Sequence, residues 1–348
     1  MKCLGNYIYT LQKRYTMIHK ICFGLVAFFL ATTGGFSQDM KVVKTFPVSG
    51  DGGWDYIAVL NNKIYVTHGT QVNVLDENSG DSIGIIPGTT GVHGVAFYAP
   101  LNRGYTSNGK LNNVYVFDLA TNKILDSIAT GENPDAINYE PYSNTIITCN
   151  GHGKSLSVID PVKNEVVATI ELQGKPEGAV SDGKGKLFVN LEDENEIAVV
   201  DLKKYKLITK WPLTPGESPT GLALDMANNR LFAGCDKKMV VVNSLNGNVV
   251  TTVPIGESCD GLVFDKKLKM IFTSNGEGSV TAIQQIDADN YSVTKTITTQ
   301  RSARTITLNE DTHTLYLPAS ELQPKKPGEP DAKRPDRMPG SFKVIVIR

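Results

Sequence analysis

The sequence lacks the features that mark several common classes of protein. Basic and acidic residues nearly balance, 35 against 36, so there is no positive excess of the kind that nucleic-acid-binding chains usually carry. Charged residues make up 20% and hydrophobic residues 41%, which is not the composition of a disordered chain. No window holds the 3.6-residue apolar period of an amphipathic helix. These absences argue against a nucleic-acid partner, a disordered tail and a helical repeat.

No apolar run reaches the length of a membrane span, which needs about 20 residues. The run at residues 21–31 follows a basic stretch at 13–20 and precedes small residues at 32–38. This order predicts a secretory signal peptide over residues 1–37, with Met1 or Met17 as the start. We therefore expect an exported protein, periplasmic or secreted, without a transmembrane segment after signal removal. Its 31 basic and 36 acidic residues would give a net charge of −5.

A five-residue pattern recurs along the rest of the chain with nearly constant spacing. Its copies are VNVLD (72–76), VYVFD (114–118), LSVID (156–160), IAVVD (197–201), MVVVN (239–243), VTAIQ (280–284) and FKVIV (342–346). The steps are 42, 42, 41, 42, 41 and 62 residues. Other β-branched runs repeat in phase, separated by turns rich in Asn, Asp, Gly and Pro, so that each unit reads as four strands. Seven four-stranded units of this length predict an all-β, seven-bladed β-propeller over residues 38–348, rather than a β-helix or a sandwich.

The two ends of the repeat predict how the ring closes. The seventh copy is followed by no segment of the fourth-strand type, whereas residues 41–46 match the fourth-strand segment EVVATI of another unit. We therefore expect residues 41–46 to pair with residues 342–347 and to complete the last blade. Closure of this kind removes the exposed strand edges that would invite aggregation.

The segments IYVTHG, LFVNLE and IFTSNG, each followed by a VxVxD-like strand and a Gly/Pro turn, resemble the YVTN-repeat propellers. This is the YncE-like family of exported bacterial proteins, whose repeats are WD40-like. The resemblance covers residues 39–348. It implies the seven-bladed fold and a binding or surface role without an established reaction, so function has to be argued from a site.

One face of the predicted ring, here named the top, gathers residues that the repeat does not require. It carries the turns that lead into the first strand of each blade and the loops that follow the second strand. The residues at the start of the first strands are Asp55, His93, Asp135, Glu177, Thr220, Asp260 and Arg304, and His68 and His152 lie near the ends of second strands. Histidines and carboxylates on one rim can bind a ligand, hold a divalent metal ion or do acid–base work. The metal candidates are His68, His93, His152 and Asp135.

Several of these residues also have a structural interpretation. Polar residues at turns commonly bond to backbone N–H groups, which would account for the carboxylates and for the asparagines that end second strands. Arg304 and Asp55 fall in neighbouring blades and are expected to form an ion pair. His313 falls in a turn on the opposite face, the bottom, and is expected to be solvated.

Two further features stand outside the repeat. Residues 318–340 form a Pro-rich insertion of mixed charge between the second and third strands of the last blade, and would emerge at the top as a lid, a partner-binding strap or a solvated loop. Cys235 and Cys259 fall on the top rim of neighbouring blades. They are a candidate disulfide in an exported chain, with two free thiols as the alternative.

These observations favour a monomeric binding module that takes a protein or small-molecule ligand at the top of its channel. One alternative is a propeller lyase or lactone hydrolase that uses rim histidines and carboxylates, with or without a divalent metal ion as cofactor. Another is an envelope scaffold without a small-molecule site. No nucleophile elbow, phosphate loop, HExxH or CxxC motif gives positive support for an enzyme.

Overall fold

The structure, a computed structural model, describes residues 40–50, 52–324 and 336–348. The predicted signal peptide over residues 1–37 lies outside these residues and stays a prediction. Within the described part of the chain, no helix is long and apolar enough to span a membrane.

The seven-bladed propeller predicted from the repeat is confirmed: the strands form seven four-stranded antiparallel sheets. Blade 1 holds β2 (Ile57–Leu60), β3 (Lys63–His68), β4 (Gln71–Asp76) and β5 (Ser82–Pro87). Blade 2 holds β6 (Val92–Tyr98), β7 (Arg103–Asn108), β8 (Asn113–Asp118) and β9 (Ile124–Ala129), with short 3-10 turns at Ala99–Leu101 and Gly109–Leu111. Blade 3 holds β10 (Pro134–Glu140), β11 (Thr145–Asn150), β12 (Ser155–Asp160) and β13 (Glu165–Glu171). Blade 4 holds β14 (Pro176–Ser181), β15 (Lys186–Leu191), β16 (Glu196–Asp201) and β17 (Lys206–Pro212).

The remaining blades repeat this arrangement. Blade 5 holds β18 (Leu222–Asp225), β19 (Arg230–Cys235), β20 (Lys238–Asn243) and β21 (Val249–Pro254). Blade 6 holds β22 (Cys259–Asp265), β23 (Met270–Asn275), β24 (Ser279–Gln285) and β25 (Tyr291–Thr298). Blade 7 holds β26 (Thr307–Asn309), β27 (Thr314–Ala319), β28 (Lys343–Ile347) and, as its outer strand, β1 (Val42–Pro47). The first strands of successive blades contact each other around the ring, β26 with β2 included, and so they line the channel.

The predicted closure is confirmed by the register of β1 against β28. Lys44 lies opposite Val346, Phe46 opposite Val344 and Pro47 opposite Lys343, and the backbones of Lys41 and Arg348 exchange two hydrogen bonds at 2.9 and 3.1 Å. The edge of β28 is therefore covered by the strand at the other end of the described chain.

The apolar core is distributed between the blades. The buried side chains of the described residues form seven clusters, and each cluster draws its members from two neighbouring blades. One of them joins blade 7 to blade 1 through Phe46, Val344 and Ile64. Removal of this apolar surface from water is the main stabilising force, so each blade depends on both of its neighbours.

The bottom turns show why the repeat is rich in asparagine. Asn102, Asn144 and Asn229 hold φ values of 52–55°, a left-handed conformation that asparagine tolerates better than most residues. His313 takes the same place in blade 7 with a φ of 55°. It does not stand only in solvent as predicted, because its Nδ1 lies 2.5 Å from Oδ2 of the buried Asp265 and so links blade 7 to blade 6.

Candidate functional site

Charged side chains from six of the seven blades meet at the top mouth of the channel. We name this set the mouth cluster; its members are Asp55, His93, Asp135, Lys175, Glu177, Glu192, Asp260 and Arg304. Most stand at or just before the start of a first strand, where the fold directs one residue per blade toward the channel axis. Five carboxylates in this cluster face two permanently charged cations, so it carries negative charge when ionised.

His93 lies between two carboxylates. Its Nδ1 is 2.7 Å from Asp55 Oδ2 and 3.6 Å from Asp135 Oδ1. Burial lowers the pKa of His93, but the hydrogen bond to Asp55 and the nearby carboxylate charges outweigh it, so the pKa is raised overall. The three residues bring their ligand atoms within 4.8 Å of one another.

Arg304 holds the other side of Asp55. Its Nη2 lies 3.3 Å from Asp55 Oδ1, which is the ion pair predicted from sequence, and its Nη1 also donates to Asp260 Oδ2. The Asp55 carboxylate is thus fixed between an arginine and a histidine, one oxygen to each.

Glu177 and Lys175 form a second pair on the far side of the mouth. Lys175 Nζ lies 2.8 Å from Glu177 Oε1 and also contacts Glu192. Burial, reinforced by the charge of Asp135, raises the pKa of Glu177 to about 8 although Lys175 acts against it. Burial and the charge of Asp55 likewise raise the pKa of Asp135 to about 6. The mouth therefore holds two carboxyl groups that take up protons more readily than exposed ones.

Tyr56 lies close to the carboxylates of this cluster, a position that sequence analysis missed. It belongs to blade 1, yet its ring packs against the apolar cluster between blades 3 and 4, and so it spans the channel. Burial, followed by the charges of Glu177, Asp135 and Asp55, raises the pKa of its hydroxyl well above the ordinary value. The mouth is consequently a charged basin with a buried tyrosine hydroxyl close to its carboxylates. Two surface cavities, about 540 and 280 Å³, are lined by residues outside the mouth cluster.

The backbone of the basin is held by hydroxyl groups. Thr305 Oγ1 donates to the Asp55 carbonyl at 2.6 Å, and Thr67 Oγ1 accepts from the Asp55 N–H at 3.1 Å. Ser107 Oγ donates to the Asp135 carbonyl at 2.5 Å and accepts from Gly94 N–H at 2.9 Å. Contacts between neighbouring blades thus position these side chains before any ligand arrives. Thr220, the blade 5 member of the predicted series, hydrogen-bonds through its hydroxyl to the Cys259 carbonyl at 2.7 Å.

Two of the predicted histidines do not join the mouth cluster. His68 is the last residue of β3, the second strand of blade 1. The equivalent position in three other blades is an asparagine whose side-chain amide donates a hydrogen bond to the third strand; these residues are Asn108, Asn150 and Asn275. His68 is accordingly 1% exposed, and its ring lies 4.1 Å from that of Phe342. His152 lies beyond the end of β11, with a 67% exposed side chain 4.0 Å from Glu132. Neither is placed to share a ligand with His93.

The insertion starts later than predicted, because Pro318 and Ala319 belong to β27. Its described flanks pair with each other through Leu322 and Arg337, while residues 325–335 lie outside the described residues. The Arg337 guanidinium lies 4.9 Å from the centre of the Trp54 ring, next to Asp55. The insertion therefore leaves the propeller beside the mouth, on the predicted face.

The bridge considered between Cys235 and Cys259 is not formed. Both residues are free and buried, as is Cys149, and each of the two thiols points to a carbonyl of its own strand, Cys235 to Ala233 at 3.8 Å and Cys259 to Gly261 at 3.6 Å. Burial raises the pKa of the Cys235 thiol to about 12 and that of Cys259 still further.

These thiols are expected to be unreactive in the folded protein, because the thiolate is the reactive form and burial suppresses it. An alkylating reagent at pH 8 should label Cys149, Cys235 and Cys259 only after unfolding in non-reducing denaturant, as mapped by peptide mass spectrometry. Failure to label Cys235 and Cys259 in the unfolded, unreduced protein would show that they are bridged.

Comparison with known proteins supports the architecture. No family model and no curated protein matches the sequence. The chain is similar in structure to a chain of Kuenenia stuttgartiensis hydrazine synthase, with a TM-score of 0.68 and 14% identity over 78% of this chain and 94% of that chain. It is also similar to a chain of a mitotic checkpoint complex, with a TM-score of 0.70 and 14% identity over 88% of this chain and 91% of that chain. At this identity the likeness shows the β-propeller fold alone.

Proposed function

We propose that the protein is a binding module that takes a positively charged ligand at the top mouth of its channel. The observation that carries this proposal is the convergence of charged side chains from six blades on one mouth of the channel. None of these charged side chains belongs to the apolar clusters between blades, which supply the main stabilising force. Burial of ionised groups costs free energy, so their concentration at a concave mouth points to a ligand.

The surplus of carboxylates decides the class of ligand. In the described cluster, Lys175 and Arg304 are the permanently charged cations, and both are already engaged by carboxylates. Asp135, between Asp55 and Glu177, has only His93 as a close cationic neighbour. A bound cation would relieve the mutual repulsion of these groups, whereas an anion would add to it.

The proposal is tested with a fluorescent lysine-rich decapeptide as the probe, with a glutamate-rich peptide for comparison and a chelator present. Replacing both Asp260 and Glu192 by their amides should weaken binding of the lysine-rich peptide about tenfold, or ~1.4 kcal/mol, as measured by fluorescence anisotropy.

The matched control is Asp311→Asn, which removes a carboxylate from a bottom turn where the side chain is 95% exposed. It should leave the affinity unchanged. Equal weakening by Asp311→Asn, or no binding of the lysine-rich peptide to the unaltered protein, would count against the mouth as the binding site.

A second candidate function, acid–base catalysis by a lyase or lactone hydrolase, is favoured by one observation. The raised pKa of Glu177 keeps a carboxylic acid protonated near neutral pH, which is the property of a general acid. Turnover of a lactone that Glu177→Gln abolishes, with the fold retained, would establish this function over binding alone.

A further inference from the structure

We propose that Asp55, His93 and Asp135 bind one divalent metal ion of the zinc class at the top mouth. This inference rests on the proposed function and names the cation that the mouth takes. It assigns the metal to three particular residues and leaves the Glu177–Lys175 pair outside the coordination sphere.

The distances fit a metal site. Zinc binds histidine nitrogen and carboxylate oxygen at about 2.0–2.2 Å, so neighbouring ligand atoms stand about 3–3.5 Å apart. His93 Nδ1 lies 2.7 Å from Asp55 Oδ2 and 3.6 Å from Asp135 Oδ1. These two distances lie just below and just above that range. All three ligand atoms lie within 4.8 Å of one another, so they can reach one ion.

Asp135 gives an independent reason to expect a cation. It is 8% exposed as a residue, and its closest cationic neighbour among the described residues is His93, whose Nδ1 lies 3.6 Å from Asp135 Oδ1. Its nearest polar group is His93 Nδ1, whose single hydrogen is directed to Asp55 at the shorter distance. Buried carboxylates in folded proteins normally have a donor or a metal ion, because desolvation without one is costly. Asp135 is thus a largely buried carboxylate that lies close enough to His93 and Asp55 to share one ion with them.

The surroundings of the three residues resemble the support that metal ligands require. Arg304 holds the Asp55 oxygen that does not face His93, so Asp55 can give Oδ2 to the metal and keep the arginine. The hydroxyls of Thr305 and Ser107 fix the backbones of Asp55 and Asp135. Such contacts orient the ligands and are the usual second layer of a metal site.

The ligand set selects the class of metal. One imidazole nitrogen and two carboxylate oxygens suit Zn²⁺ and related transition ions better than Ca²⁺, which prefers oxygen ligands alone. For Nδ1 to coordinate, its hydrogen moves to Nε2, or is lost to solvent when the ring is protonated. Three protein ligands leave at least one coordination position open to water or to a donor group of a second molecule.

The test is titration of the chelator-stripped protein with ZnCl₂ by isothermal calorimetry, together with metal analysis after dialysis. We expect one ion per chain, and at least tenfold weaker binding by His93→Ala and by Asp135→Asn. Asn has nearly the same size as Asp, so the Asp135→Asn variant should fold even if His93→Ala does not. Near-ultraviolet circular dichroism checks the fold of both variants.

The matched control is His152→Ala, which removes a histidine from the same face outside the cluster and should leave zinc binding unchanged. No stoichiometric zinc on the unaltered protein, or undiminished binding by Asp135→Asn, would overturn the metal site. Since the peptide experiment above contains a chelator, peptide capture without zinc binding would refute this inference and leave the proposed function standing.

Discussion

Replacing Glu177 with glutamine is expected to stabilise the protein by about 4–5 kcal/mol at pH 8.5 and by less than about 1 kcal/mol at pH 5. The folded protein raises the pKa of this buried carboxyl to about 8, whereas in an unfolded chain it is close to 4.5. Between these values the folded state holds the proton more tightly. Stability therefore falls as the pH rises through this window, which is the opposite of the usual behaviour of an ion-paired carboxylate.

The measurement is denaturant unfolding at several pH values between 4.5 and 8.5, with a chelator present. The unaltered protein should lose stability across this window, and Glu177→Gln should lose much less. Below about pH 6, Glu177→Gln should still lose some stability as the pH rises, because burial and the charge of Asp55 also raise the pKa of Asp135 to about 6.

Glu165→Gln is the matched control, since Glu165 lies at the exposed start of an outer strand beside Lys163. It should reproduce the pH profile of the unaltered protein. If the stability of Glu177→Gln falls with pH as steeply as that of the control, Glu177 ionises in the folded protein with little loss of stability.

The second large effect is expected at the closure of the ring. Phe46→Ala should lower the free energy of unfolding by about 3–5 kcal/mol, the usual cost of truncating a buried aromatic side chain. Phe46 is 4% exposed and belongs to the cluster that joins blade 7 to blade 1. Gly80, at a φ of +80°, leaves room for the ring, because a Cβ at that position would lie 1.9 Å from it.

Val43→Ala is the control for this experiment, because Val43 is in the same strand but 45% exposed. It should cost less than about 0.5 kcal/mol. Amide hydrogen exchange provides a second measurement, since loosening of β1 should speed exchange in β28 and leave blade 4 unchanged. Equal costs for Phe46→Ala and Val43→Ala would mean that β1 contributes little to closure.

The repeat made the fold predictable in detail. The near-constant step fixed the number of blades, and the match between residues 41–46 and other fourth strands fixed the partner of β1. Both inferences assign strands from short sequence segments, and a propeller repeats the same order of strands and turns in every blade. The insertion lies between the second and third strands of the last repeat, and its described flank contacts Trp54 on the face that this position predicts.

The mouth was only partly predictable. Position in the repeat placed Asp55, His93 and Asp135 on one rim, because the first strands all start on one face, but Asp55 was expected to pair with Arg304 and was not among the metal candidates. The same logic was wrong for His68, whose place in the repeat is a structural one that other blades fill with asparagine directed toward the third strand. Lys175 was missed because a lysine in a turn looks like any solvated residue until its partners Glu177 and Glu192 are known.

Tyr56 shows a different limit of sequence reasoning. A tyrosine next to a first strand could as well pack within its own blade. Its actual contacts lie across the channel, on the cluster between blades 3 and 4, and nothing in the spacing of one repeat reports on a blade that is two places away. Contacts across the ring depend on its diameter and on the size of every side chain at the mouth.

The pairing of β1 with β28 also has a consequence for the order in which the chain can assemble. These two strands are the most widely separated partners in the described sequence, and synthesis of the chain produces β1 before the strands of blades 1 to 6 and β28 after them. The entropy of closing so long a loop grows only slowly with length, by about 0.6 kcal/mol per doubling, so the closed ring loses little at equilibrium. Contacts of high sequence separation nevertheless form slowly, and unpaired strands are exposed to association in the meantime. Of the described strands, the one that closes the ring is made first and cannot pair until β28 has been made, and its hydrophobic side chains must avoid wrong contacts until then.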